Sequence, residues 1–77
     1  TACSSALVAM IQGARSVERG ESDVSLCFGV NALLDGNSFA VLSSSGMLSP
    51  DGRCKTFDAS ANGYVRGEGC GGLLVKR

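Results

Sequence analysis

The stretch DVSLCFGVN, residues 23–31, constrains the fold more than any other. Val24, Leu26, Phe28 and Val30 alternate with Ser25, Cys27 and Gly29. Successive side chains of an extended backbone leave opposite faces, so this period of two predicts a strand. One face is bulky, and the other is small but carries no charge. A face open to water would be more polar, so the strand is expected to be covered on both sides, as in a layered α/β domain.

The segments around it can be read in the same way. Residues 4–19 follow the helical period, with Leu7, Val8, Ile11, Ala14 and Val17 on one side and Gln12, Arg15, Glu18 and Arg19 mainly elsewhere. Gly20 is placed to end that helix, with Arg19 near the negative end of its dipole. A short helix fits residues 37–44, where Phe39, Ala40, Val41 and Leu42 cluster and Asp35 or Asn37 stands near the start. SPDG, residues 49–52, predicts a turn, since Pro50 presets φ and Gly52 permits φ > 0. Residues 55–69, KTFDASANGYVRGEG, are loop-like, with Asn62-Gly63 as a tight turn, and CGGLLVKR, residues 70–77, reads as a strand. There is no internal repeat, linker or low-complexity tract.

The 77 residues carry 7 Lys+Arg against 7 Asp+Glu. A net charge of zero argues against nucleic acid or an anionic membrane as the main partner, because both are held by a basic excess. No apolar run approaches the roughly 20 residues that span a bilayer, and the start lacks the basic and apolar regions of a secretory signal. These features point to a cytosolic chain. It has no initiator Met, opens at a functional-looking turn and closes on a strand. It also contains 11 glycines, which add entropy cost on folding. A domain of this size buries only about 60% of its unfolded surface. The chain is therefore expected to be a fragment of a larger domain.

Cysteines fall at 3, 27, 54 and 70. Two disulfides would suit a secreted scaffold, but Cys27 lies in an apolar strand and Cys3 opens a helix. With no C-x-x-C pair and no histidine, a zinc site has too few ligands. Cys27, Cys54 and Cys70 are assigned structural or incidental roles.

Cys3 is different. It precedes the helix in TACSSALVAM, among Ala2, Ser4, Ser5 and Ala6. A thiol attacks as thiolate, and a helix N-terminus supplies unpaired N–H groups and partial positive charge that favour an anion. Small neighbours would let a substrate carbonyl reach the backbone, whose N–H groups could stabilise the oxyanion of acyl transfer. The layout parallels the strand-to-helix nucleophile turn of serine hydrolases, with sulfur in place of oxygen. Burial as a small hydrophobe is the competing assignment. Ser4 or Ser5 is expected to cap the helix rather than react.

GEGCGG satisfies G-x-G-x-x-G through Gly67, Gly69 and Gly72. A dinucleotide fingerprint follows a strand and opens a helix, whereas this one precedes a strand, so nucleotide binding is not assigned.

TACSS with its helix, GVN, GMLSPDGRCKTFDASANGYVRGEGCG and the final strand together resemble the β-ketoacyl synthase (ketosynthase) domain of type I polyketide synthases, over all 77 residues. Animal-type fatty acid synthases share a similar layout. The resemblance implies a thiolase-like α/β fold of two similar halves, usually a homodimer, with this chain in the middle of the N-terminal half, incomplete at both ends. It implies that Cys3 takes an acyl group from the phosphopantetheine arm of an acyl carrier protein. A decarboxylated malonyl-type extender then attacks the resulting thioester, which is covalent catalysis followed by a Claisen condensation. The Cys3 N–H would be one oxyanion donor, and Phe39 would line the acyl pocket. No cofactor is bound directly. The two histidines that assist decarboxylation in the family lie downstream, so the 77 residues alone are expected to condense nothing. Asp58, Arg66 and Glu68 are expected to brace the matched loop. A fatty acid synthase, or a non-condensing carrier-protein-binding module, remains an alternative parent.

Overall fold

A computed structural model describes residues 1–77. It contains four elements: helix α1 (Ser5–Glu18), strand β1 (Val24–Asn31), helix α2 (Asn37–Ser44) and strand β2 (Gly69–Lys76). They fall into two compact units, one of Thr1–Asn31 with Glu68–Arg77 and one of Ala32–Gly67. No helix is long and apolar enough to cross a membrane.

In the first unit, β1 and β2 pair antiparallel, running from Val24 opposite Lys76 to Asn31 opposite Gly69. Helix α1 ends as its glycine predicts. Gly20 is left-handed at φ 72; its N–H donates to the Val17 carbonyl, and the Glu21 N–H donates to that of Ser16. Those two bonds satisfy carbonyls that the last turn would otherwise leave open.

The inner face of α1 differs from the one its bulky stripe predicts. Val17 is buried, and Met10, Gly13 and Ala14 are half-buried, but Leu7, Val8 and Ile11 are exposed. The helix meets the small side of β1. A Cβ added to Gly13 would collide with Cys27 and Ser25, and one added to Gly29 would collide with Ala6. A glycine inside a helix costs about 1 kcal/mol relative to alanine; here it lets the helix axis come close to the sheet. Leu26, Phe28 and Val30 point away and are 60%, 58% and 75% exposed. Within these 77 residues β1 is covered on one side, by α1.

The second unit is a small helix on a braced loop. Asp35 Oδ1 accepts from the Asn37 N–H at 3.2 Å and the Ser38 N–H at 3.5 Å, starting α2. Gly46, at φ 74, ends it with the same pair of bonds as Gly20. The SPDG turn forms, with the Gly52 N–H donating to the Ser49 carbonyl at 3.3 Å. Asn62-Gly63, however, is not a turn; that bend lies at residues 58–61, where the Ala61 N–H donates to the Asp58 carbonyl.

Gly63 instead runs beside Leu48–Ser49, joined by the Ser49 N–H to the Tyr64 carbonyl and the Tyr64 N–H to the Met47 carbonyl. Its φ is 143, and an added Cβ would lie 2.5 Å from the Leu48 carbonyl carbon. Both the backbone region and the space exclude a side chain. Gly63→Ala in the intact domain is expected to cost on the order of 3 kcal/mol, measured as a lowered urea midpoint at unchanged slope.

Asp51 knots this loop. Its carboxylate accepts from the Lys55 ammonium and, at 2.9 Å, from the Asn62 amide, while the hydroxyl of the buried Ser49 donates to Asn62 at 3.0 Å. This holds Lys55 in a left-handed conformation, φ 50, that costs a non-glycine residue on the order of 1 kcal/mol. The Lys55 hydrogen bond, then that of Asn62, lowers the Asp51 pKa from its ordinary 3.8. A lowered folded-state value means the stabilisation is complete above 3.8 and is lost as pH falls through that lowered value. In the intact synthase, pepsin cleavage at Phe57 is therefore expected to accelerate as pH falls from about 5 to about 2, beyond the protease's own pH response. Asp51→Asn, which has no carboxylate to protonate, should be cleaved readily at both ends of that range.

Candidate active site

Cys3 sits in a tight turn directly ahead of α1, closed by the Ser5 N–H donating to the Ala2 carbonyl at 3.3 Å, and its side chain is exposed. Its N–H donates to no group of this chain. The thiol is thus outside the helix proper, one residue before Ser4, which occupies the N-cap position.

The two serines do not cap the helix as expected. Ser4 makes no side-chain cap hydrogen bond. Ser5 turns its hydroxyl backward, towards the Thr1 carbonyl at 2.6 Å and the Ala2 carbonyl at 2.7 Å. The reason is geometric: the tight turn places two carbonyls under Ser5, and a hydroxyl there has acceptors within reach. The first helical bond is Val8 N–H to the Ser4 carbonyl. The N–H groups of Ala6 and Leu7 therefore point out of the helix end uncapped, next to the Cys3 turn. An exposed thiol in a turn that leads into open amide donors suits acyl chemistry, where an anion must be held as it forms.

The other thiols have different surroundings. All four cysteines are free. Cys27 is buried between β1 and Gly13 of α1, with its Sγ 3.6 Å from the Ser25 hydroxyl. Cys54 accepts the Val65 N–H at 3.3 Å, and Cys70 lies in β2 opposite Val30. None of these three stands at a helix start.

Phe39 lies on α2, in the second unit. The Arg66 guanidinium sits 4.6 Å from its ring centroid and donates to the Ser38 hydroxyl at 2.6 Å. Arg66 therefore braces the loop against α2, as expected, through a cation–π contact and a hydrogen bond. Asp58 also braces: its carboxylate accepts from the Ser60 hydroxyl and N–H, which together lower its pKa. Glu68 immediately precedes β2. Gly69 and Gly72 lie within β2 rather than on a strand-to-helix turn, so the G-x-G-x-x-G spacing has no phosphate cradle here.

A feature that sequence reading missed is the groove of about 450 Å³ between the N-terminal half of α1 and the strands, lined by Ala6, Leu7, Met10, Phe28, Gly29 and Leu73 among others. Gly71 opens it by leaving β2 bare opposite Gly29, whereas its neighbour Gly72 is on the other face, against the Phe28 ring. The glycine pair was the available signal, but its meaning required the strand register.

The sequence profile of the β-ketoacyl synthase N-terminal domain matches residues 1–77, the whole chain. The chain belongs to the β-ketoacyl synthase family. A highly reducing polyketide synthase of Cryptosporiopsis sp. is similar to it, with 53% identity over 77 residues, 100% of this chain and 3% of that protein. A phenolphthiocerol/phthiocerol polyketide synthase polypeptide of Mycobacterium tuberculosis is 54% identical over 77 residues, 4% of its length. Among solved structures, the ketosynthase from module 6 of the bacillaene synthase of Bacillus subtilis superposes with a TM-score of 0.94 at 45% identity. That match covers 97% of this chain and 14% of that one. The α/β, thiolase-like expectation holds for this part of the synthase fold. The chain spans 3% to 4% of the length of these curated relatives.

Proposed function

We propose that this chain carries the acyl-accepting nucleophile, Cys3, of a condensing ketosynthase in a polyketide synthase. The observation that carries the reading is the exposed Cys3 thiol in a turn abutting the uncapped N–H groups of Ala6 and Leu7. In that reading the 77 residues are part of one larger synthase domain, which works as a homodimer among neighbouring domains in the cytoplasm. The polyketide synthases among its relatives favour a polyketide over a fatty acid product.

The Cys3 sulfur attacks the carbonyl carbon of an acyl thioester presented on the phosphopantetheine arm of an acyl carrier protein. A new C–S bond forms, the oxyanion is held by backbone N–H groups including that of Cys3, and the carrier's thiolate leaves and takes up a proton. A malonyl-type extender on a carrier then loses CO₂. Its carbanion attacks the Cys3 thioester, giving a β-ketoacyl product and returning the Cys3 thiolate. Residues outside this chain supply the histidines for decarboxylation, since the chain has none. Phe39, with one ring face held by Arg66, is read as an acyl-pocket residue.

The test is peptide mapping. The intact synthase is incubated with an acyl-thioester donor and digested, and the acyl mass is expected on the Cys3 peptide. Label on no cysteine, or spread equally over Cys3, Cys27, Cys54 and Cys70, would remove the nucleophile assignment.

A further inference from the structure

Behind the turn that carries Cys3, the first turn of α1 crosses β1 at Ala6 and Gly29. A Cβ placed on Gly29 would lie 2.6 Å from the Ala6 Cβ and 3.9 Å from the Ala6 Cα. Carbon atoms in contact settle about 3.5–4.0 Å apart, so this crossing of α1 and β1 has room for one methyl group and not two. The Ala6 methyl has no torsion that would carry it aside. Relief would have to come from the backbone of the first turn of α1.

Gly13, on the same seam, is in a different position. The first atoms its added Cβ would meet are Cys27 Sγ and Ser25 Oγ. These are side-chain ends that can change rotamer. The next neighbour, Ser25 Cβ, is 3.3 Å away and needs only a small shift.

We infer that Gly29 is a positioning residue for the Cys3 thiol: by admitting Ala6 against β1, it sets the height of the α1 N-terminus and of the turn that carries the sulfur. The connection is short. The Ser5 N–H bonds to the Ala2 carbonyl, and the Ser5 hydroxyl bonds to the Thr1 and Ala2 carbonyls. A displacement at Ala6 is therefore passed directly to Cys3 and to the open N–H groups of Ala6 and Leu7. Gly71, the register partner of Gly29, also lacks a side chain, so the neighbouring strand adds no bulk on this line. The inference rests on the reading of Cys3 as acyl acceptor, whose reacting atoms must be placed to better than about 1 Å to avoid losses near 100-fold.

The experiment uses the intact synthase and follows single-turnover acylation of Cys3 from an acyl-thioester donor, with iodoacetamide alkylation of the same thiol and the melting temperature alongside. Gly29→Ala is expected to slow acylation by at least about 10-fold at saturating donor, with little change in the donor concentration giving half-maximal rate. Adding Ala6→Gly removes the second methyl and should restore acylation to within about twofold of Ala6→Gly alone. Gly13→Ala is the stability reference, expected to lower the melting temperature with a smaller effect on acylation.

Acylation in Gly29→Ala at the wild-type rate would overturn the inference while leaving the nucleophile reading intact. So would slowing that tracks melting temperature equally in the Gly29 and Gly13 variants. If Gly29→Ala alone does not fold, the double variant decides: fold and acylation recovered together sustain the contact, and fold recovered without acylation overturns it. Wild-type synthase that alkylates at Cys3 but is never acylated there would instead defeat the functional reading, and the inference with it.

Discussion

Cys3→Ala in the intact synthase is expected to abolish β-ketoacyl product, a loss of roughly 10⁴-fold or more, as when a covalent nucleophile is removed elsewhere. The melting temperature should hardly move. Among these 77 residues Cys3 is exposed and packs against nothing, and a single sulfur is a small volume to remove. Cys54→Ala makes the matched comparison. That thiol is also exposed but accepts the Val65 N–H within a loop, so its loss should leave turnover within about twofold, in line with ordinary surface substitutions. Product is read by liquid chromatography with mass detection. Turnover by Cys3→Ala at the wild-type rate would end the acyl-enzyme reading, whatever the fold.

The second large effect concerns the 77 residues taken alone. Val17 and Cys27 are the buried apolar residues, whereas Leu26, Phe28, Val30 and Leu34 are at least 58% exposed. Each bulky apolar side chain left in water forgoes about 1.5–3 kcal/mol, while ordering each residue costs about 1–2 kcal/mol of backbone entropy. Burial on this scale cannot offset that cost. The isolated peptide is expected to show no cooperative unfolding transition by circular dichroism, to bind hydrophobic dyes or aggregate, and to form no β-ketoacyl product. A sharp thermal transition at micromolar concentration would contradict this. The exposed faces are consistent with a segment from inside a layered domain, where other parts of the polypeptide cover what this part leaves open.

The elements themselves were legible because their signals are local. Expected helices at residues 4–19 and 37–44 became Ser5–Glu18 and Asn37–Ser44, and the strand read at 70–77 became Gly69–Lys76. The stop at Gly20 was equally readable, since a left-handed residue after a helix favours glycine whatever surrounds it. Cys3 could be singled out as a candidate for the same reason, as a thiol among small residues at a helix start. The roles of Ser4 and Ser5 were less readable. A serine near a helix start can bond forward to an amide or backward to a carbonyl, and the turn at Ala2–Ser5 selected the backward bond.

Spacing alone placed Val17 and Ala14 correctly on the inner side of α1 but not the rest of that side. Its largest residues, Leu7, Val8 and Ile11, mark a plausible core stripe, yet the helix lies on β1 through Ala6, Gly13 and Val17. Bulk identifies surface that must be covered, but not which covering element arrives first. That choice depends on the shape of the partner, and the partner here is the small face made by Ser25, Cys27 and Gly29. The Asn62-Gly63 reading failed in a related way. Gly63 does need its unusual φ, but because Leu48–Ser49 runs past it, not because the chain reverses there.

Periodicity and glycine placement thus specified where this chain coils, extends and stops, since each rests on contacts among near neighbours. Residues far apart in the chain decided the rest: β1 aligned on β2, a helix drawn close by missing methyl groups, and an exposed sulfur set at the open end of that helix. Such contacts depend on complementary shape between segments, which no single segment encodes.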